Sequence, residues 1–382
     1  MNLDFGMPAA VFRGEYRYKK PCLFKNAVRD LSIGWNEINE LYQRADPTDD
    51  LFRLRKGEIV PVSEYVERFN DVGRTRYRFN KPAVYQYLKN GTTIIYNRIN
   101  NEPWVDDLAK QIAHFAGGQT IVSGYLAFGS DPSFKSHWDT RDVYAVQLAG
   151  KKRWTLSAPN FEMPLYMQQG KDMPHIKPPE TVDMEVTLEA GDILYVPRGW
   201  WHNPVPLGCE TFHLAIGVFP PNGYNYMEWL MKKFPEIPSL RRNFTSWDED
   251  NDNIDNMAQE AAKMIADEEN YRKFMSDFLG GQRTDSAFLM DVFGNPNVDK
   301  LPKNCSLRLN SIDLSTLEQD YLIANGFKIN VDDISRKVFE LIAKHEPIPL
   351  TELLMHFKPD QQEKVSGLLY QLGALDVVEV LR

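Results

Sequence analysis

The stretch SHWDTRDVYAVQLAGKKRW, residues 136–154, places a histidine and an aspartate two positions apart before a hydrophobic run that ends in a basic cluster. In an extended strand, side chains at i and i+2 point to the same side. His137 and Asp139 would then direct an imidazole and a carboxylate at one point. Such a pair recurs by chance, so its meaning depends on what the rest of the chain brings to it.

A second histidine, His202, lies in LEAGDILYVPRGWWHNP, residues 188–204. EAGD reads as a turn, ILYV as a short buried strand, and PRGWWH as a constrained loop that delivers the ring. Two neutral imidazoles and one carboxylate on one face of a metal leave three positions open, the ligand set of non-haem Fe(II) oxygenases. Those positions suit a bidentate 2-oxo acid and then O2. A site of this kind also needs a cation for the distal carboxylate of 2-oxoglutarate. Lys152 shares strand parity with Trp154 and Leu156, so it points inward, while Lys151 and Arg153 face solvent; the alternative is that all three form an exposed basic tip. In TFHLAIGVF, residues 211–219, His213 alternates against Phe212, Leu214 and Ile216. It faces the opposite side, either beside the metal or as an ordinary hydrogen-bonded histidine. His114, His175, His345 and His356 read as surface or packing residues. Trp138, Trp200 and Trp201 read as packing at the mouth of the barrel, and Arg141 and Asp142 as substrate contacts at its rim or as a solvated strand edge.

Outward from this centre, residues 121–220 carry short segments rich in β-branched and aromatic residues, broken by Gly, Pro and Asp. DVYAVQLAG and KKRWTLSAP read as two strands of a hairpin. The pattern fits an antiparallel barrel or jelly roll. Upstream, GWNEINELYQRA and EPWVDDLAKQIAHFAGG carry helix-face spacing, and PVSEYVERFND offers Ser63 as an N-cap, so residues 1 to about 115 read as a helical cover. Downstream, NIDNMAQEAAKMIADEENYRKFMSDFL reads as one long helix with Ile254, Met257, Ala261, Met264, Tyr271, Phe274 and Phe278 near one face. The acidic run WDEDNDNIDN lacks the glycine and distal glutamate of a calcium loop and reads as an exposed helix-entry loop. The last fifty residues follow the helix–turn–helix–turn–helix–strand order of a small winged-helix module.

The whole chain has 382 residues, 43% of them hydrophobic and 25% charged, the profile of a soluble globular protein of two or three domains. The net charge of −9 disfavours broad nucleic-acid binding. Residues 331–382 hold nine acidic against six basic side chains, so direct DNA binding by that module is not expected. No apolar run is long enough for a membrane span, and the opening residues do not read as a secretory signal. Three scattered cysteines, Cys22, Cys209 and Cys305, argue for a reducing compartment and a cytoplasmic location.

YLAFGSDPSFKSHWDTRDVYAVQLAGKKRW, with GDILYVPRGWWHNP and HLAIGVF, resembles the Jumonji C-type cupin oxygenases, nearest to the ribosomal oxygenases. YRYKKPCLF is similar to their usual opening. The resemblance implies a mainly β catalytic core, a double-stranded β-helix or jelly-roll cupin with flanking helices, over residues 1–222. It further implies a helical dimerisation region at 223–330 and a winged-helix-like module at 331–382. His137, Asp139 and His202 match the iron ligands and Lys152 the residue that pairs with 2-oxoglutarate. Tyr125 falls where a tyrosine helps bind that co-substrate. Ser123 stands where the family often has asparagine, and Ser136 where proline commonly precedes the first ligand. The implied activity is Fe(II)- and 2-oxoglutarate-dependent hydroxylation, with O2, of a protein or peptide side chain, ribosomal in the nearest group, by a homodimer. A non-catalytic peptide-binding scaffold, or an oxygenase of a small molecule or modified nucleotide, stands as the alternative.

Overall fold

In the computed structural model, which describes residues 1–132, 134–282, 286–312, 314–345 and 347–382, the chain forms two units. One comprises Met1–Ala116 and Thr120–Phe219, the other Gly117–Gln119 and Pro220–Arg382.

The first unit opens with Asn2–Leu3 (β1), Ala9–Glu15 (α1), Cys22–Phe24 (β2), Val28–Arg29 (β3) and Trp35–Arg44 (α2). Phe52–Lys56 (β4), Glu58–Ile59 (β5), Val66–Asp71 (β6), Arg74–Phe79 (β7), Lys81–Lys89 (α3), Thr93–Tyr96 (β8) and Pro103–Ala116 (α4) follow. Gln119–Ala127 (β9), Asp142–Ser157 (β10), Met184–Glu189 (β11), Ile193–Val196 (β12) and Trp201–Phe219 (β13) complete it. Nine of these strands make one sheet in the order β2-β12-β10-β13-β9-β8-β4-β5, with β11 also on β10.

Two long strands shape that sheet. Residues 142–146 of β10 pair with 214–218 of β13 and, on the other edge, with β12; residues 152–157 pair with 201–206 and with β11. Val143 and Ala145 from the first half share one apolar cluster with Trp154 and Leu156 from the second, together with Leu188, Leu194 and Val196. A flat strand of sixteen residues cannot bring those pairs together, so β10 rolls the sheet around its own interior. The alternate residues Tyr144, Val146 and Leu148 face outward and pack on Phe12, Ile38, Leu108 and Ile112 of the helical cover. Both faces are therefore covered, which is why residues 143–149 of β10 and all of β12 read as almost continuous apolar runs.

Several expectations change. The hairpin at Gly150 is one bent strand: its glycine has φ +62°, and the register shifts on either side of it. Gly150 serves a bulge, where a Cβ would lie 1.7 Å from the Glu210 carbonyl oxygen. Ser63 does not cap a helix. It lies in a single 3₁₀ turn, and the following residues form the β6–β7 hairpin, whose turn places Val72 and Gly73 at positive φ. The turn geometry outweighs the helical spacing there.

In the second unit, Gly223–Met231 (α5) precedes Trp247–Ala266 (α6) and Glu268–Gly280 (α7). The single long helix expected there is two, because Asp267 leaves helical geometry and its side chain caps α7. The acidic run lies inside α6 rather than in an entry loop, with Asp248, Glu249 and Asp250 in the first turn, where helix N-termini favour negative charge. Met290–Phe293 (α8), Ser306–Leu309 (β14), Tyr321–Ala324 (β15), Phe327–Asn330 (β16), Asp333–Lys344 (α9), Ile348–Pro349 (β17), Leu350–Met355 (α10), Pro359–Ala374 (α11) and Val378–Leu381 (β18) follow. The strand order β17-β14-β18 puts Ser306–Leu309 at the centre of the last sheet, and one core runs from Val292 to Val380. A boundary at 331 would cut that sheet, and residues 223–330 are not wholly helical. Among the described residues no helix is long and apolar enough to cross a membrane.

The bend at Gly150 gives a direct check. Gly150→Ala combines an unfavourable backbone conformation with a main-chain collision, so a loss of about 3 kcal/mol or more in denaturant unfolding is expected. A loss below about 1 kcal/mol, within the reach of ordinary surface substitutions, would show that β10 does not need this bulge.

Candidate metal centre

His137 and His202 face each other across an isolated antiparallel bridge. The His137 N–H donates to the His202 carbonyl at 3.1 Å, and the His202 N–H donates back at 2.8 Å. The bridge sets the two rings with centroids 4.4 Å apart. Asp139 lies just before β10, where the Gly199 N–H donates to its carbonyl oxygen. His202 is the second residue of β13, not part of a loop, so the loop ahead of it is Pro197–Trp200. One ligand atom from each of His137, Asp139 and His202 lies within 4.8 Å of the others. His202 Nε2 is 3.7 Å from Asp139 Oδ2.

The tautomers follow from the carbonyls nearby. His137 Nδ1 lies 2.8 Å from the Lys135 carbonyl oxygen and His202 Nδ1 lies 3.1 Å from that of Trp200. Each carbonyl takes an Nδ1 proton, leaving both Nε2 lone pairs free. Burial, and then the facing His137, push His202 down to about 4, so its ring is neutral at neutral pH. Burial works to raise the Asp139 carboxyl, but Arg141, His202 and His137 outweigh it and hold the group below its ordinary range. Two neutral imidazoles and a carboxylate anion are the donor set a divalent metal requires.

Lys152 is buried on the interior face of β10, while Lys151 is exposed and paired with Glu189 at 2.6 Å, and Arg153 is exposed. Lys152 Nζ lies 3.2 Å from Nδ1 of the buried His213. Burial alone pulls Lys152 down to about 7, and burial with the adjacent Lys152 keeps His213 well below its usual range. His213 stacks on Tyr125 at 5.0 Å between centroids. Trp154 bridges the two groups, 5.6 Å from His213 and 5.9 Å from His202, and its buried Nε1 has no partner among the described residues. Burial, and then Asp139, push Tyr125 up to about 12, so its hydroxyl keeps its proton. Ser123 is buried on the same face of β9. A buried lysine without a carboxylate, and an indole N–H without an acceptor, among the described residues suit an anionic group beside the candidate ligands.

Two neighbours were not legible as structure. Asp142 is not at the rim: it is buried, accepts from the Arg198 N–H at 2.8 Å and the Tyr195 hydroxyl at 3.2 Å, and so braces the loop ahead of His202. Arg141 lies across Gly217, half-buried. The reading of the tryptophans as packing applies to Trp138 and Trp201, which are buried edge to face at 4.7 Å, while Trp200 packs on the inner cluster.

Residues 94–226, which carry all three candidate ligands, match the JmjC domain. Over 175 residues, 45% of the chain, it is 28% identical to the bifunctional lysine-specific demethylase and histidyl-hydroxylase NO66 of Drosophila persimilis. Over 221 residues, 52% of the chain, it is 25% identical to ribosomal oxygenase 1 of Gallus gallus. The chain spans 25% and 36% of the length of these two relatives. Crystallised Escherichia coli ribosomal oxygenase YcfD superposes with a TM-score of 0.59 at 16% identity, covering all of both chains. A second structure of that protein, in complex with cobalt and 2-oxoglutarate, gives 0.58 at 15% over 99% of each. At this identity the likeness to YcfD is one of fold.

The Asp142 brace has a pH signature. Burial pushes its carboxyl up to about 6, against the pull of the Arg198 N–H and Tyr195 hydroxyl. The native state then holds that proton more tightly than the unfolded chain, so Asp142 weakens the fold progressively as pH rises from about 4 to about 6 and by a constant amount above that. Asp142→Asn keeps an acceptor for the Arg198 N–H and removes this dependence. Its stability relative to wild type, from urea unfolding, is expected to rise by about 2–3 kcal/mol between those limits. Parallel pH curves for the two proteins would contradict the assignment.

Proposed function

We propose that this protein is an Fe(II)- and 2-oxoglutarate-dependent oxygenase that hydroxylates an amino-acid side chain of a protein or peptide, with ribosomal proteins the first class to test. The observation that carries this reading is the convergence of His137, Asp139 and His202 beside a buried, carboxylate-free Lys152. The names of the NO66 and ribosomal oxygenase 1 relatives support the substrate class. Bound Fe(II), with 2-oxoglutarate and O2, supplies the oxidising power that turns a C–H bond into C–OH as the 2-oxo acid is converted to succinate and CO2.

The residues of the chain do the rest. His137, Asp139 and His202 hold the metal, and the Lys135 and Trp200 carbonyls fix the imidazoles in the tautomer that ligates. Lys152 takes the distal carboxylate, while His213, neutral and stacked on Tyr125, orients the ammonium. Tyr125 offers a hydroxyl that stays protonated, and Ser123 lies on the same strand face as a minor contact. Trp138 and Trp201 exclude water behind the ligands.

The second unit is read as a self-association and winged-helix-like region. Helices α9–α11 with β14, β17 and β18 supply the elements of such a module, and Phe244 and Trp247 lie 62% and 70% exposed. All three cysteines are free, which fits a cytoplasmic setting.

Asp139→Ala is expected to abolish 2-oxoglutarate-dependent succinate release, and wild-type turnover persisting in that variant would exclude the site. Mass spectrometry of the host proteome with and without the gene should find a protein carrying one added oxygen atom; its absence, with succinate release intact, would exclude a protein substrate. Because Lys152 titrates near 7 when empty and must be charged to pair, 2-oxoglutarate affinity should hold below that pH. Above it, the affinity should fall by up to about tenfold per pH unit. A flat profile from pH 6 to 9, a range of about two units on the alkaline side, would remove Lys152 from the binding site.

A further inference from the structure

Beyond its pull on the Asp139 carboxyl, Arg141 is, among the described residues, a cation beside the triad to which the proposed function assigns no ligand. It sits two residues after Asp139, at the head of β10, with the strand parity of Val143 and Ala145, which face the interior. Its arm crosses to β13 and lies flat on Gly217: a Cβ built there would fall 2.6 Å from both Cδ and Nε of Arg141. The guanidinium then stops 5.9 Å from the Phe219 ring. Any side chain at Gly217 would displace this arm, while the glycine φ lies in the ordinary region, so the glycine is needed for space rather than for backbone conformation.

Among the described residues no carboxylate lies within 4.0 Å of the guanidinium, Asp139 included, and none of its five N–H donors has a hydrogen-bond acceptor. Its charge is nevertheless felt by Asp139, His202 and Tyr125, so it stands at the metal end of the site. Lys152, on the far half of β10 with His213, stands at the other end. A site with one cation at the metal and one beyond it complements a dianion with two separated carboxylates.

We propose that Arg141 is a second carboxylate anchor, pairing with the carboxylate of 2-oxoglutarate that lies at the metal, while Lys152 takes the distal one. The inference rests on the function proposed above and assigns a residue to the end of the co-substrate that carries its 2-oxo group. A planar guanidinium suits this place because it can meet a carboxylate with two parallel hydrogen bonds.

The test is anaerobic titration of the Fe(II)-loaded, full-length protein with 2-oxoglutarate, followed by the visible charge-transfer band of the complex. If the wild-type protein gives no band, the proposed function fails, independently of Arg141. If it does, Arg141→Gln, titrated at saturating Fe(II), is expected to weaken 2-oxoglutarate binding by roughly ten- to a hundredfold, well beyond any change in Fe(II) affinity. Gly217→Ala, which leaves Arg141 in place but displaces its arm, should shift binding in the same direction. With 2-oxobutyrate, which lacks the distal carboxylate, Arg141→Gln should lose the same factor and Lys152→Met almost none. Wild-type 2-oxoglutarate affinity in Arg141→Gln would overturn the proposal. A loss of 2-oxoglutarate binding no greater than the loss of Fe(II) binding in that variant would overturn it too, by making Arg141 a support for the triad alone. A loss seen with 2-oxoglutarate but not with 2-oxobutyrate would place Arg141 at the distal end and equally overturn it.

Discussion

Two backbone hydrogen bonds between His137 and His202 hold the centre of this molecule together. They join the segment before β10 to the start of β13, strands that are already neighbours along most of their length. The bridge fixes the separation of two imidazoles whose free nitrogens must converge, and Asp139 reaches the same point from two residues further on. Metal ligation demands placement within a fraction of an ångström, and a strand ladder supplies it better than a mobile loop would.

The same arrangement sets the electrostatics. Burial keeps His202 neutral, and the cation of Arg141 with the facing imidazoles keeps Asp139 ionised despite its own burial. Further along β10, burial brings Lys152 to the edge of losing its charge. The two ends of the site are thus prepared differently: one is a preformed donor set, and the other is a buried lysine that, in the proposed function, the carboxylate of the co-substrate recharges. Both depend on the roll of β10, because only a bent strand turns residues near 141 and near 152 towards one interior.

Much of this was legible in the residues because its signals are local. The H-x-D spacing, the later histidine and the parity of Lys152 with Trp154 and Leu156 each need only a strand and its period of two. What was misread depended on partners distant in sequence. Gly150 looks like a hairpin turn, and only the approach of Glu210 shows it to be a bulge. Asp142 looked like a rim residue, because the Tyr195 hydroxyl and the Arg198 N–H that bury it arrive from β12 and the loop after it. Asp267, a helix cap inside an apolar pattern that continues across it, hid the break between α6 and α7. The strand Ser306–Leu309 carries too few residues to announce itself, yet it centres the last sheet.

The site requires that one metal ion be held by the three side chains that the bridge brings together. A crystal structure of the protein loaded with Mn(II), with anomalous scattering to locate the ion, tests this most directly. The expected result is a single ion about 2.0–2.4 Å from Nε2 of His137, Nε2 of His202 and a carboxylate oxygen of Asp139. An ion bound elsewhere, or one ligated through the Nδ1 atoms, would contradict it.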